Sequence, residues 1–188
     1  MSLSQLASDL ETDKVMAMGL ATHHYQLTRR QIIQEGFNVI RMPMQLVYGR
    51  QGSDNVQRVE LLLNDQYASS RPSAPALRHL AGTTAIRLDI KANSEHWTNE
   101  ADRPLSLLIP DGYWEDQKSP PVPIEYDAGS YSQRQVISKA REFDKYGLQL
   151  WGTASKTRQK RLTEWIHTLR VSFVVKYVPW WEPAPPEG

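Results

Sequence analysis

The run TTAIRLDIKANSEHWTNEADRPLSLLIPDGYW, residues 83–114, is the stretch on which the reading of the fold turns. From Ile86 it alternates. Ile86, Leu88 and Ile90 fall on one side and Arg87, Asp89 and Lys91 on the other, the period-two pattern of a strand with one buried and one wet face. A polar run follows. Leu105 to Ile109 then forms a second apolar run, stopped by the turn signal Pro110-Asp111-Gly112.

The segment before this stretch predicts a β-hairpin. Residues 37–48 and 56–63 are its arms, and a polar loop at 49–55 with two glycines joins them. Pro43 makes the first arm an edge strand or a broken one, because proline cannot donate to a ladder. Residues 66–83 read as a loop holding one short helix around 76–80. The first 36 residues read as helical. Thr12 is placed to cap a helix over 13–18, and Thr28 with Gln31 makes a capping box for a second that Gly36 would end. A helical hairpin whose second helix starts Thr-Arg-Arg is compatible with a helix-turn-helix.

After the stretch, Ser119 to Pro123 reads as extended and polyproline-like. Ser130 is placed to cap a helix over 131–146 with Val136, Ala140 and Phe143 on one stripe and Gly147 as its stop. Leu148 to Trp151 reads as a short strand. Ser155 caps a helix over 156–169 whose apolar stripe is Leu162, Trp165, Ile166 and Leu169. Its other face carries Lys156, Arg158, Lys160 and Arg161. Val171 to Val178 is a last strand, and residues 179–188, rich in proline, form an irregular tail. Strand pairs come first and helices later, without regular alternation. The expectation is one α+β domain over 1–188, with an N-terminal helical hairpin and a mostly antiparallel sheet carrying helices on one face.

Composition bounds the rest. The chain has 188 residues, 40% hydrophobic and 23% charged, an ordinary globular balance long enough for one real core. No apolar run approaches the ~18 residues that span a bilayer, and no signal peptide is read at the N-terminus. With no cysteine, thiolate metal sites, disulfides and cysteine nucleophiles are excluded together, which fits a cytoplasmic protein. The net charge of +1 conceals a polarity. Residues 95–127 hold eight acidic side chains against two basic ones, and residues 128–178 hold ten basic against three acidic. Either the two segments neutralise each other in the fold, or the basic one faces a polyanion.

Three constellations bear on chemistry. Asp89 and Lys91 on a strand, with Glu60 or Asp65 on the preceding one, would suit a divalent-metal nuclease: two acids hold the cation and the lysine orients the attacking water. His96 with Glu100 and Asp102 could form a base with an orienting carboxylate. His23, His24, His79, His96 and His167 make no His-x-His or His-x-x-x-His pair, so a zinc site would have to be assembled across the fold, and no metal is expected. There is no glycine-rich phosphate loop, nucleophile elbow or dinucleotide fingerprint, and no cofactor is expected. Of six tryptophans, Trp165 reads as core, and Trp180 and Trp181 either pack back or offer a stacking surface.

The function this favours is non-enzymatic association with nucleic acid through Arg29, Arg30, Lys156, Arg158, Lys160 and Arg161. The alternatives are the metal-dependent nuclease and a structural or protein-interaction subunit. No membrane partner is expected.

Overall fold

The computed structural model describes residues 2–46, 56–99, 108–115 and 119–181. Its centre is a helix where the alternating pattern predicted a strand. After α1 (Leu3–Asp13), β1 (Val15–Ala17), α2 (Met18–Tyr25), α3 (Arg29–Gln34), β2 (Asn38–Gln45), β3 (Val56–Leu63) and α4 (Asp65–Ser69), the chain forms α5 (Ala74–Asp89). Ser73 caps α5 by accepting from the Ala76 N–H, and proline sits in the first turn, where its missing N–H costs nothing. Residues 80–88 of α5 are buried without interruption. A helix buried all round has no amphipathic period, so a local alternation inside it carries no structural meaning. This corrects the strand at 86–91: Arg87 is buried, and Asp89 and Lys91 do not share a strand face.

The sheets explain that burial. β1, β3 and β2, in that order, form an antiparallel three-stranded sheet. The predicted hairpin is its main part, with Asn38 opposite Leu63 and Gln45 opposite Val56. Its loop at 49–55 lies outside the described residues. Pro43 is on the edge strand, as its lack of a donor requires. The second sheet has five strands in chain order: β4 (Trp97–Asn99), β5 (Gly112–Trp114), β6 (Val122–Tyr126), β7 (Gln149–Thr153) and β8 (Phe173–Tyr177). Its first three strands pair antiparallel and its last three parallel.

The parallel pairs need crossovers, which are α6 (Gln133–Phe143) and α7 (Lys156–His167). The C-terminal part therefore has a regular β6-α6-β7-α7-β8 alternation that the sequence reading did not anticipate. It sits within an α+β fold.

α5 packs between the two sheets, against β1 on one side and β6 and β7 on the other. Thr84 Oγ1 donates to Val15 O at 2.7 Å. The approach to the five-stranded sheet is close enough that only glycine fits at two positions. A Cβ on Gly82 would run into the Tyr126 ring, and one on Gly152 into the Ile86 side chain. The larger core surrounds α5. A second cluster fills the opposite face of the five-stranded sheet, where Val136, Ala140 and Phe143 of α6 meet Trp151 of β7 and Leu162 and Ile166 of α7. Helices thus cover both faces of this sheet.

The N-terminal segment is helical with one interruption. Thr12 lies within α1 rather than capping a new helix, and Val15–Ala17 become a strand because all three residues are buried against Leu61–Leu63. The capping box of Thr28 and Gln31 is present, and Gly36 follows with φ +90°. The short helix expected near 76–80 belongs to the longer α5. The cap of α6 is Ser132, paired reciprocally with Gln135, two residues beyond Ser130. Trp180, in the tail, is fully buried.

Candidate nucleic-acid interface and an adjoining ionic cluster

α6 and α7 pack side by side on one face of the five-stranded sheet, each fixed by a serine cap and an apolar stripe. In α6 the stripe is Val136, Ala140 and Phe143, as the spacing predicted. In α7 Leu162 and Ile166 are buried, while Trp165 and Leu169 remain half-buried at its edge. Outside the stripes lie five exposed cations, Arg134 and Arg141 on α6 and Lys156, Lys160 and Arg161 on α7, together with Glu142 of α6, which pairs with Lys145, and the exposed Glu164 of α7. None of these five makes an ion pair with a described residue. Lys156 lies over the Tyr177 ring, 5.4 Å from its centroid.

The other basic residues named from sequence are placed differently. Arg158 turns inward, donating to Asp127 through Nε at 2.7 Å and stacking its guanidinium 4.8 Å from the Trp165 ring. Arg29 is on α3, beside the other sheet, and holds Glu60 at 2.8 Å. Arg30 is exposed on the same short helix. The structure therefore brings Lys156, Lys160 and Arg161 together, adds Arg134 and Arg141, and separates Arg158, Arg29 and Arg30 from them. Arg134 and Arg141 were visible in the sequence only as part of a basic segment. Their common face required knowing which stripe of α6 is buried. Along that helix runs an open groove of about 870 Å³, lined by Arg134, Arg141, Ser132, Ser138, Ile137 and Leu108 among others.

Part of the charge polarity is neutralised internally. Two acids of the 95–127 segment meet two cations of the 128–178 segment as buried pairs, Glu125 with Lys139 at 2.7 Å and Asp127 with Arg158 at 2.5 Å.

Glu125 belongs to a larger cluster near the carboxyl end of β6, where the sheet changes from antiparallel to parallel pairing. Such strand ends are where open α/β sheets place their ligands. Asp111, in the turn before β5, accepts from the Tyr126 N–H at 2.7 Å and faces His79 Nδ1 of α5 at 3.6 Å. The His79 ring stands edge-on to Tyr126, with centroids 5.9 Å apart, and lies 6.5 Å from the Tyr131 ring. Lys139 also donates to Ile109 O at 3.2 Å and sits over the Tyr131 ring.

Burial pushes the Glu125 carboxyl up to about 8, Asp111 adds to the shift, and Lys139 opposes it. Burial works against a charged His79, yet Asp111 and Glu125 outweigh it, and its pKa is raised. Burial and the same two carboxylates push the Tyr131 phenol up as well. No local motif announced this cluster, because its members come from four separate parts of the chain.

The nuclease candidates are not assembled as that chemistry would need. Asp89 ends α5 and pairs with Lys176 of β8 at 2.7 Å. Lys91 follows the helix with φ +56°. Glu60 lies on β3 between Arg29 and Arg41, whose hydrogen bonds hold its carboxyl down at about 2. Asp65 begins α4 and accepts from Asn38 at 2.6 Å. Among the described residues no group of three or more His, Asp or Glu side chains could hold a metal ion. The Glu100 and Asp102 partners suggested for His96 lie outside the described residues. No described helix is long and apolar enough to cross a membrane. Comparison with protein-family models, with curated proteins and with solved structures finds no match for this chain.

Proposed function

We propose that the protein associates with nucleic acid along the outward face of α6 and α7. The observation that carries this reading is the set of five exposed cations, Arg134, Arg141, Lys156, Lys160 and Arg161, on two adjacent helices with no acidic partner among the described residues. Other basic side chains of the chain are already matched: Arg29 and Arg41 to Glu60, Arg87 to Asp13, Lys139 to Glu125, Arg158 to Asp127 and Lys176 to Asp89. Cations left unneutralised on one face are what a polyanion engages, and each phosphate contact displaces condensed counterions.

The test is fluorescence anisotropy with labelled oligonucleotides between ~50 and ~200 mM salt, the range over which phosphate-driven binding weakens by orders of magnitude. Replacing Arg134, Lys156, Lys160 and Arg161 by alanine weakens binding at least tenfold and flattens the salt slope. Replacing Arg30 and Arg58, on the three-stranded-sheet side, leaves it within twofold. Binding that ignores the first set, or no binding at ~50 mM salt, rejects the proposal.

The two buried acid–base pairs favour the alternative that the charge polarity is internal and the exposed helices dock a protein. That reading predicts no salt-dependent oligonucleotide binding.

A further inference from the structure

The exposed cations of α6 and α7 give phosphates a partner but leave the uncharged side chains beside them unexplained. We propose that the groove along α6 takes a single-stranded nucleic acid, with phosphates on Arg134 and Arg141 and a base stacked on Tyr146. This rests on the nucleic-acid reading above and names the form of the polymer.

The groove has two kinds of wall. Arg134, Arg141 and Ser138 on the outer face of α6 make it polar. Arg134 and Arg141 stand two helical turns apart, about 10 Å along the axis, so they meet different phosphates of a strand that follows the helix. Ile137 of the same helix and Leu108, in the turn before β5, make it apolar, and Leu108 keeps 45% of its surface exposed. An exposed leucine adds nothing to phosphate contacts, and the faces of paired bases are hidden inside a duplex stack. A single strand can offer its base faces as well as its phosphates.

The far end of the groove leads to an aromatic pair. Glu142 lines the groove there and pairs with Lys145. Lys145 is 56% exposed and lies over the Tyr146 ring, 5.2 Å from its centroid, so that face of the ring is reached from solvent. Tyr146 also meets Tyr113 of β5, with ring centroids 5.6 Å apart and hydroxyls 3.3 Å apart. Strand alternation sets Tyr113 on the α6 side of the sheet, because a Cβ on the preceding Gly112 would lie 3.6 Å from the Thr83 side chain of α5. Thr98, opposite Tyr113 on β4, is exposed. The tyrosine pair therefore shares a sheet face with the cations and adjoins the groove.

The chemistry of this end selects an unpaired base. Every base has a π face, so stacking on a tyrosine needs no particular sequence, but the face must be free of its duplex neighbours. The contact of an exposed lysine with a ring is weak and yields to a base. Stacking and phosphate contacts use no sugar hydroxyl, so DNA and RNA strands both qualify.

The experiment is fluorescence anisotropy on the full chain at ~50 mM salt. The probes are labelled oligothymidine and oligouridine of about 12 nucleotides, a duplex of the same length, and a phosphodiester chain of that length whose sugars carry no bases. The single strands bind at least ~5-fold tighter than the duplex and the baseless chain. Tyr146→Leu keeps apolar bulk but removes the π face; it weakens single-strand binding ~5-fold or more and leaves the baseless chain unaffected. Tyr146→Phe keeps the π face and binds as wild type does. Thermal melts establish that both variants fold, and if Tyr146→Leu does not, the wild-type contrast between oligothymidine and the baseless chain decides. A duplex or baseless chain bound as tightly as the single strands overturns the proposal and leaves the phosphate-binding surface standing. So does a folded Tyr146→Leu that binds single strands like wild type. Failure to bind any of the probes removes both readings.

Discussion

Replacing Arg87 by methionine removes the cation that ties α5 to the buried Asp13 of α1. On a wet strand face it would be dispensable. Here it is 3% exposed and grips Asp13, itself fully buried, through Nε at 2.8 Å and Nη2 at 2.6 Å. Its Nη1 also donates to Ala92 O at 3.0 Å, and Nη2 lies 3.1 Å from Asp9. Arg87→Met strands the Asp13 carboxylate in the core. Asp9 suffers less, because it keeps Tyr25, Ser94 and Gln5 as donors. Breaking a buried pair from one side costs about 3–5 kcal/mol, a large share of the ~5–15 kcal/mol that holds a domain together. At about 2–4 °C per kcal/mol for a chain of this size, the melting temperature falls by roughly 6–20 °C. Burial already pushes Asp13 up to about 6, and losing Arg87 pushes it further. The deficit is therefore greatest near pH 8 and shrinks toward pH 5, where the carboxyl is protonated. Calorimetry at the two pH values measures both effects, and Asp13→Asn added to Arg87→Met recovers most of the loss. A single mutant that melts within ~2 °C of wild type at pH 8 refutes the buried pair.

Other perturbations follow the same logic. Lys139→Met alone costs about 3–5 kcal/mol by leaving Glu125 unpaired, whereas Lys139→Met with Glu125→Leu is near neutral or stabilising, because a buried ion pair barely repays its desolvation; urea titration separates the two. Glu125 and Asp13 have folded pKa values above their ordinary ones, so the folded state holds extra protons. Their contribution to stability is present at low pH and lost as pH rises toward about 6 for Asp13 and about 8 for Glu125. Glu60, held down at about 2, works oppositely and favours the folded state until pH falls below the ordinary carboxylate range. Thermal melts therefore decline between pH 5 and 8, and Glu125→Gln flattens the upper part of that decline. Gly82→Ala gains helix propensity, ~1 kcal/mol, but drives a Cβ into the Tyr126 ring. Overpacking of ~1–3 kcal/mol outweighs the gain, and the variant unfolds at lower denaturant.

Elements whose signal is local were legible in the sequence. The capping box at Thr28 and Gln31 is satisfied by the four residues that contain it. The hairpin arms were set by the glycine-containing polar loop between them, and the stripes of α6 and α7 repeat with the helical period because each helix has one wet face and one dry one. The basic residues of α7 were legible too, since three of the four named lie opposite the stripe. Tertiary structure alone decided the rest. Residues 80–88 became helix because two sheets enclose them on both sides, which erased the amphipathic period and left an accidental alternation. Burial of Arg158 depended on Asp127, 31 residues away, and burial of Arg87 on Asp13, 74 residues away. The cluster of His79, Asp111, Glu125, Tyr131 and Lys139 has no period or motif, because what defines it is the meeting of α5, a turn, β6 and α6 at one end of a sheet. Local sequence records which face of an element is wet; it does not record which distant charge will neutralise a buried one.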